Sequence, residues 1–298
     1  EDEVAVPVLI GRRRVVEARA QRAGLTRVPG AVEIIDPEDD PRYRDYVDTY
    51  LGLVGRKGVS PERARTVVRT NSTVIAAVSV HRGETDSMVC GAVGPYTEHL
   101  ADVRAVIGEA EGVADLAALS LLLSDREMLF ITDSQVCEEP SASQVAEITM
   151  RAARQVRGFG ITPKAALLSA SRFGSRALPS SALMQDALQI LRAEAPELEV
   201  DGEMTGEDAL NQAVRARNMP DSTLTGRANL LVFPSLDAAH LAMGLLAEVT
   251  DALHIGPMLL GARLPAHIVT QSVTARGILN MTAIAAMDVL RRQAASTG

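Results

Sequence analysis

The chain has 298 residues, enough for one large α/β unit or two lobes sharing a cleft, and its formal net charge is −8. An acidic surface repels nucleic-acid phosphates, and with no Trp, four Phe and four Tyr there is no aromatic and basic interleaving to compensate, which argues against a nucleic-acid role. No apolar run approaches the roughly 18–20 residues of a membrane span and no signal-peptide pattern opens the chain, so a cytosolic location is expected.

The first residues, Glu1-Asp2-Glu3, lead directly into Val8-Leu9-Ile10-Gly11, which reads as a fragment or a chain lacking its first segment. Short β-branched or aliphatic runs predict strands at 7–10 and 32–35. A helix is predicted over 61–70, with Ser60 as its cap and Pro61 in its first turn. Strands follow at 73–80 and 87–91. The stretch 103–123 is helix-prone and lacks a polar break after Ala117, so it is read as the carrier from one lobe to the next. Beyond it come a strand at 128–132, a helix at 143–155 with Val145, Ile148, Ala152 and Val156 on one face, and a strand at 165–169. A helix at 183–193, strands at 230–234 and 258–261 around a helix at 237–249, and a last helix at 277–293 complete the pattern. Strands alternating with helices predict parallel βαβ units and an α/β fold. The segment after Gly261 is expected to return to the first lobe. The first lobe is then discontinuous, 1–119 with 264–298, the second is 120–263, and the loop 265–277 lies over the cleft.

Familiar catalytic motifs are missing. Gly158-Phe159-Gly160 has Pro163 where a dinucleotide fingerprint needs its third glycine, and reads as a helix C-cap. His81, His99, His240, His254 and His267 have no metal-ligand spacing and read as surface or hydrogen-bonded residues. Cys90 and Cys137 read as reduced, partly buried thiols, and Glu138-Glu139 as a solvated pair. Polar loops remain at strand ends, where α/β sheets bind ligands. The best anion cradle among them is Ser169-Ala170-Ser171-Arg172-Phe173-Gly174-Ser175, with hydroxyls, an arginine and a permissive glycine.

Taken together, these loops resemble the phosphate acetyl/butyryltransferase family. Val89-Cys90-Gly91-Ala92-Val93, Asp133-Ser134-Gln135-Val136 through Pro140, Asp201-Gly202-Glu203-Met204, Asn229-Leu230-Leu231-Val232-Phe233-Pro234 and Gly256-Pro257-Met258-Leu259-Leu260-Gly261 are similar to its motifs, in order. The resemblance implies a two-lobed, three-layer αβα fold with mostly parallel sheets, isocitrate/isopropylmalate dehydrogenase-like as in phosphotransacetylases. The family's reaction centre, Pro-x-Asn-Asp-Leu-Ser-Arg-Gly followed by an Asp, is not retained. From Pro265 onward its Ser falls on Thr270, its Arg on Gln271 and its Asp base on Gly277, while a second arginine falls on Ala101, with Arg104 a turn further on. Losing a positioned base costs roughly 10²–10⁴ in rate, and each lost charge-stabilising group roughly 10²–10³ more. No catalytic residue is therefore assigned.

The departures are similar to the C-terminal domain of bacterial NADP-dependent malic enzymes. His267-Ile268-Val269-Thr270, Arg276, Asn280-Met281-Thr282-Ala283, Asp40-Pro41-Arg42-Tyr43, Arg69-Thr70-Asn71, His81-Arg82-Gly83 and Phe173-Gly174-Ser175 carry that likeness. It implies a regulatory and oligomerisation domain that binds acetyl-CoA as an inhibitory effector. Ser171, Ser175, Asn229, Thr270 and Gln271 are its expected hydrogen-bonding residues, with Gly174 in the cradle and Arg172, Arg263 or Arg276 on the phosphates. No cofactor or metal is expected here; NADP and a divalent metal belong to an upstream malic domain outside this chain. Expected partners are that domain and further copies of the chain, as a homodimer or higher, with no nucleic acid or membrane. The alternatives are an active phosphate acetyl/butyryltransferase and a purely structural assembly domain.

Overall fold

The computed structural model describes residues 4–25, 32–125 and 127–297, so Glu1-Asp2-Glu3 falls outside it. The chain divides into two compact units, Glu1–Glu111 with Ala262–Gly298, and Gly112–Gly261.

The first unit opens with β1 (Val8–Ile10), α1 (Arg13–Arg22) and β2 (Glu33–Ile35), a βαβ turn in which β1 and β2 pair in parallel. Helices α2 (Tyr43–Val54), α3 (Pro61–Thr70) and α4 (Ser72–His81) follow, then β3 (Met88–Cys90) and α5 (Tyr96–Val106). The Ser60 side chain accepts the Arg63 N–H and Pro61 opens α3, as the sequence predicts.

Residues 73–80 form helix α4, not the expected strand. Asn71 decides it: its side-chain oxygen accepts the N–H groups of Thr73 at 3.0 Å and Val74 at 3.2 Å, starting a helix where β-branched residues favour a strand. Thr73, Val74, Ile75, Ala77, Val78, Ser79 and Val80 are all buried, so the helix has no polar face to give it a 3.6-residue signature.

The second unit is built on β4 (Ala117–Leu123), β5 (Met128–Thr132), α6 (Ala142–Gly158), β6 (Lys164–Leu168), α7 (Pro179–Glu194), β7 (Glu199–Met204), α8 (Gly206–Leu210), α9 (Gln212–Asn218), β8 (Leu230–Val232), α10 (Leu236–Thr250) and β9 (Leu253–Leu260). Its six strands lie in the order β7-β6-β8-β5-β4-β9. Pairing is parallel from β7 to β5, while β4 is antiparallel to both β5 and β9. The expected helix-prone carrier over 103–123 is thus corrected: α5 ends at Val106, and 117–123 is a strand inside the second unit. Ala and Leu favour helices, but β4 has neighbours on both edges and six of its seven side chains are buried, so pairing overrides propensity.

Alternate residues of the central strands face opposite layers. Leu129 and Ile131 of β5, Ala166 and Leu168 of β6, and Leu231 of β8 join one cluster with Ala239 and Met243 of α10. Phe130, on the other face, stacks on Phe159 just beyond α6, with ring centroids 5.8 Å apart. Strand β7 escapes sequence reading because Asp201-Gly202-Glu203 interrupts it with polar residues.

The chain then returns to the first unit through β10 (Ala266–Ile268), parallel to β3, and ends in α11 (Ala275–Thr297). Among the described residues no helix is long and apolar enough to cross a membrane.

Candidate functional site

Two loop clusters carry the candidate residues, one in each unit.

In the first unit, β3 and β10 run side by side in register, His267 opposite Val89, so the loops after both strands leave the same end of the pair. Gly91 sits where they almost touch. Its φ is +107°, and a Cβ added there would lie 2.2 Å from the Val269 carbonyl oxygen, so no side chain fits. The Val269 N–H donates to Cys90 O at 2.7 Å, and the Gln271 side-chain amide donates to Gly94 O at 3.0 Å. Beneath this contact, His99 bridges Thr73 Oγ1 and Val93 O, each at 2.7 Å, and fixes the loop from α4. His99 is thus one of the hydrogen-bonded histidines the sequence suggests, though its partner Thr73, 26 residues away, was not legible there.

Thr270 Oγ1 lies 3.0 Å from Ser272 Oγ, and Thr274 accepts the Gly277 N–H at 3.0 Å, capping α11. Gly277, where the resemblance puts the family's base, is buried in the first turn of that helix. A Cβ there would meet Val273 Cγ2 at 2.9 Å, so a carboxylate would have to displace a stiff β-branched neighbour. Arg276 is exposed in the same turn. Ala101 is exposed on α5, and Arg104 is held by Glu109 at 3.0 Å. Arg263 donates its N–H to Gly108 O, and its guanidinium lies 3.3 Å from His81 Nδ1. Burial, helped by that positive charge, pushes the His81 imidazole below its ordinary value.

In the second unit, the loop 169–176 leaves the carboxyl end of β6. Ser171 is buried, its hydroxyl 3.3 Å from that of Ser175, and it accepts the Arg176 N–H at 3.1 Å. Ser175 Oγ accepts the Arg172 N–H at 2.9 Å. The organiser is Glu203, fully buried, whose two oxygens accept the Gly174 N–H at 2.7 Å and the Gln185 amide at 3.0 Å. Burial alone would raise its pKa, but hydrogen bonds from Gly174, Ser171 and Gln185 outweigh it and hold the carboxyl below its ordinary value. Gly202 is required beside it, because a Cβ would lie 2.6 Å from Leu167 O. Arg172 is already engaged, 2.6 Å from buried Asp208 and 3.6 Å from Glu207.

Asn229 does not join this group. Its side chain accepts the Lys164 N–H at 2.7 Å and donates to Thr162 O at 2.9 Å. Those residues lie at the amino end of β6, opposite the cradle at its carboxyl end, so Asn229 clamps the start of two parallel strands. The cradle therefore consists of Ser171, Arg172, Gly174 and Ser175, while Arg263, Thr270, Gln271 and Arg276 belong to the first unit.

The remaining polar groups have partners within the fold. Asp133 accepts the N–H groups of Ala118, Val136 and Cys137 at 3.0–3.1 Å, and burial pushes its carboxyl up to about 6. Burial likewise pushes the Cys90 thiol up to about 12 and Cys137 up to about 11, so neither is a thiolate at neutral pH. His240 contacts Ser134 O at 3.1 Å, His254 contacts Ser120 Oγ at 3.1 Å, and His267 lies 3.2 Å from Asp288. Among the described residues, no group of three or more His, Cys, Asp or Glu is placed to hold a metal ion.

The fold has known counterparts. The family model for phosphate acetyl/butaryl transferase matches residues 1–286. The chain belongs to that family. It is 54% identical over 97% of its length to an NAD-dependent malic enzyme of Rhizobium meliloti, and 44% identical over 96% to an NADP-dependent malic enzyme of Escherichia coli. It spans 38% of the length of each of those proteins. A phosphate acetyltransferase of Paracoccus denitrificans is 35% identical over 92% of the chain and 91% of its own length. A phosphotransacetylase structure from Streptococcus pyogenes superposes with a TM-score of 0.83 at 24% identity, covering 95% of this chain and 94% of its own, so the α/β fold with mostly parallel strands is that of phosphotransacetylases.

Proposed function

We propose that this chain is the phosphotransacetylase-like domain of a malic enzyme, binding acetyl-CoA as an inhibitory effector and joining copies of the protein, with its own acetyl transfer lost. One observation carries the loss of transfer. The position of the family's base is Gly277, buried in the first turn of α11 with its Cβ space taken by Val273. Gln271, in place of the family's arginine, is uncharged and spends its amide on Gly94 O. Thiol attack on an acyl phosphate needs a base for the thiol and positive charge on the phosphate, and those two positions supply neither. Groups that can hold an anion remain: the hydroxyls of Thr270 and Ser272 ahead of α11, with Arg276 in its first turn, and the exposed Ser175 in the cradle.

The upstream malic domain is the proposed covalent partner, which fits the share of each malic enzyme that this chain spans. Its dinucleotide is left between NAD and NADP, because the Rhizobium meliloti relative is named for one and the Escherichia coli relative for the other. The dinucleotide and a divalent metal are assigned to that domain.

The competing reading is a working transferase, favoured by the full-length match to the Paracoccus denitrificans enzyme. Thioester formation from acetyl phosphate and CoA separates the two. The expected rate is at background, and acetyl-CoA at about 100 Kd is expected to stabilise the chain by about 2.7 kcal/mol. Robust turnover would establish the transferase instead.

A further inference from the structure

Phe173 is placed unlike the other phenylalanines. Phe130 is fully buried, Phe159 stacks on it, and Phe233 packs against the core, whereas Phe173 is 42% exposed in the loop after β6. Its backbone is also strained. With φ at +43° it occupies the left-handed region, where a bulky L residue is disfavoured and Gly or Asn is usual. The conformation is imposed from behind: the Phe173 N–H donates to Glu203 O at 3.1 Å, and the next N–H, from Gly174, donates to the buried Glu203 carboxylate at 2.7 Å. The fold thus holds an apolar ring toward solvent at a cost in both strain and hydration. Strain of this kind persists where surrounding structure over-determines it, as at ligand clamps.

The ring's surroundings indicate its partner. Arg172, next to it in the chain, is tied to Asp208; Arg176, three residues on, is exposed; Ser175, two residues on, is exposed as well. An exposed aromatic ring in a loop that also carries an exposed guanidinium and hydroxyl matches a nitrogen heterocycle that carries phosphates, better than an alkyl chain. We infer that Phe173 is the platform on which the adenine of an acyl-CoA stacks, with Arg176 beside it for the phosphates. The inference rests on the acyl-CoA reading above and names a residue for the adenine of that ligand.

The test compares two probes, acetyl-CoA and S-acetylpantetheine, which lacks the adenine nucleotide, by calorimetric titration of wild type, Phe173→Ala and Phe173→Tyr. Stacking on an aromatic ring predicts that Phe173→Ala weakens acetyl-CoA roughly 5- to 100-fold, leaves S-acetylpantetheine unchanged, and that Phe173→Tyr restores wild-type affinity. Phe173→Asn, relieved of strain, is expected to melt above wild type while losing the same affinity; a lower melting temperature overturns the claim that strain is retained for binding. Equal loss with both probes, or acetyl-CoA affinity within twofold of wild type, overturns the inference alone. So does a changed oligomeric state by light scattering with affinity intact, which makes the ring a contact between copies. Wild-type chain that binds neither probe overturns the acyl-CoA reading and this inference with it.

Discussion

Replacing Glu203 tests whether one buried carboxylate organises the cradle. In Glu203→Ala, the Gly174 N–H and the Gln185 amide lose a charged acceptor at 2.7 and 3.0 Å. Hydrogen bonds to charged groups are worth about 1.5–3 kcal/mol each, and removing a buried charge returns part of that. A net loss of about 3 kcal/mol follows, or a fall in melting temperature of roughly 6–12 °C for a unit of this size. Glu203→Gln keeps one acceptor for Gly174 and can pair with a rotated Gln185 amide, so it is expected to cost only about 1 kcal/mol at neutral pH. The sign with pH is fixed by the lowered pKa: the carboxylate stabilises the fold above its unfolded value, and that contribution fades as pH falls through the folded value. The gap between wild type and Glu203→Gln therefore closes in acid. Denaturant titrations at pH 7 and pH 4, with hydrogen exchange at the Gly174 amide, measure both effects. Wild-type stability and unchanged Gly174 protection in Glu203→Ala would refute the role given to this residue.

Gly91→Ala should cost more than 3 kcal/mol, since its Cβ would lie 2.2 Å from a backbone oxygen at a φ of +107°; a melting temperature within 2 °C of wild type (about 1 kcal/mol) contradicts this. Cys90 and Cys137, pushed up to about 12 and 11, should react with a disulfide reagent at pH 8 far more slowly in the native chain than after unfolding, and equal rates in the two states count against the burial argument. Asp133 should titrate near 6 in a carbon-detected NMR series, its raised pKa favouring the fold below 3.8 and losing that effect as pH rises through about 6; a midpoint at or below 4 would show that its backbone hydrogen bonds outweigh desolvation.

Helices with one apolar face were legible from residues alone. Helix α6 showed Val145, Ile148, Ala152 and Val156 at helical spacing, and all are buried. Elements buried all round were not. Helix α4 looks like a strand until Asn71 is seen to cap it, and β4 looks like a helix until β5 and β9 are seen on its edges. The same limit governs the sites. The hydroxyls of Ser171 and Ser175 stand close in sequence and lie 3.3 Å apart. Glu203, which orders them, is brought in from β7, and His99 acts through Thr73 and Val93. Asn229 was placed by its motif with the binding residues, but which end of a strand a residue occupies becomes visible only when the neighbouring strand is paired.

The central claim is that a site stripped of its base and its charge still binds a thioester. Isothermal titration of acetyl-CoA into the wild-type chain measures this directly. Saturable binding with one class of site and a negative heat-capacity change from apolar burial is expected. Titrations with no saturable heat at several temperatures would contradict it.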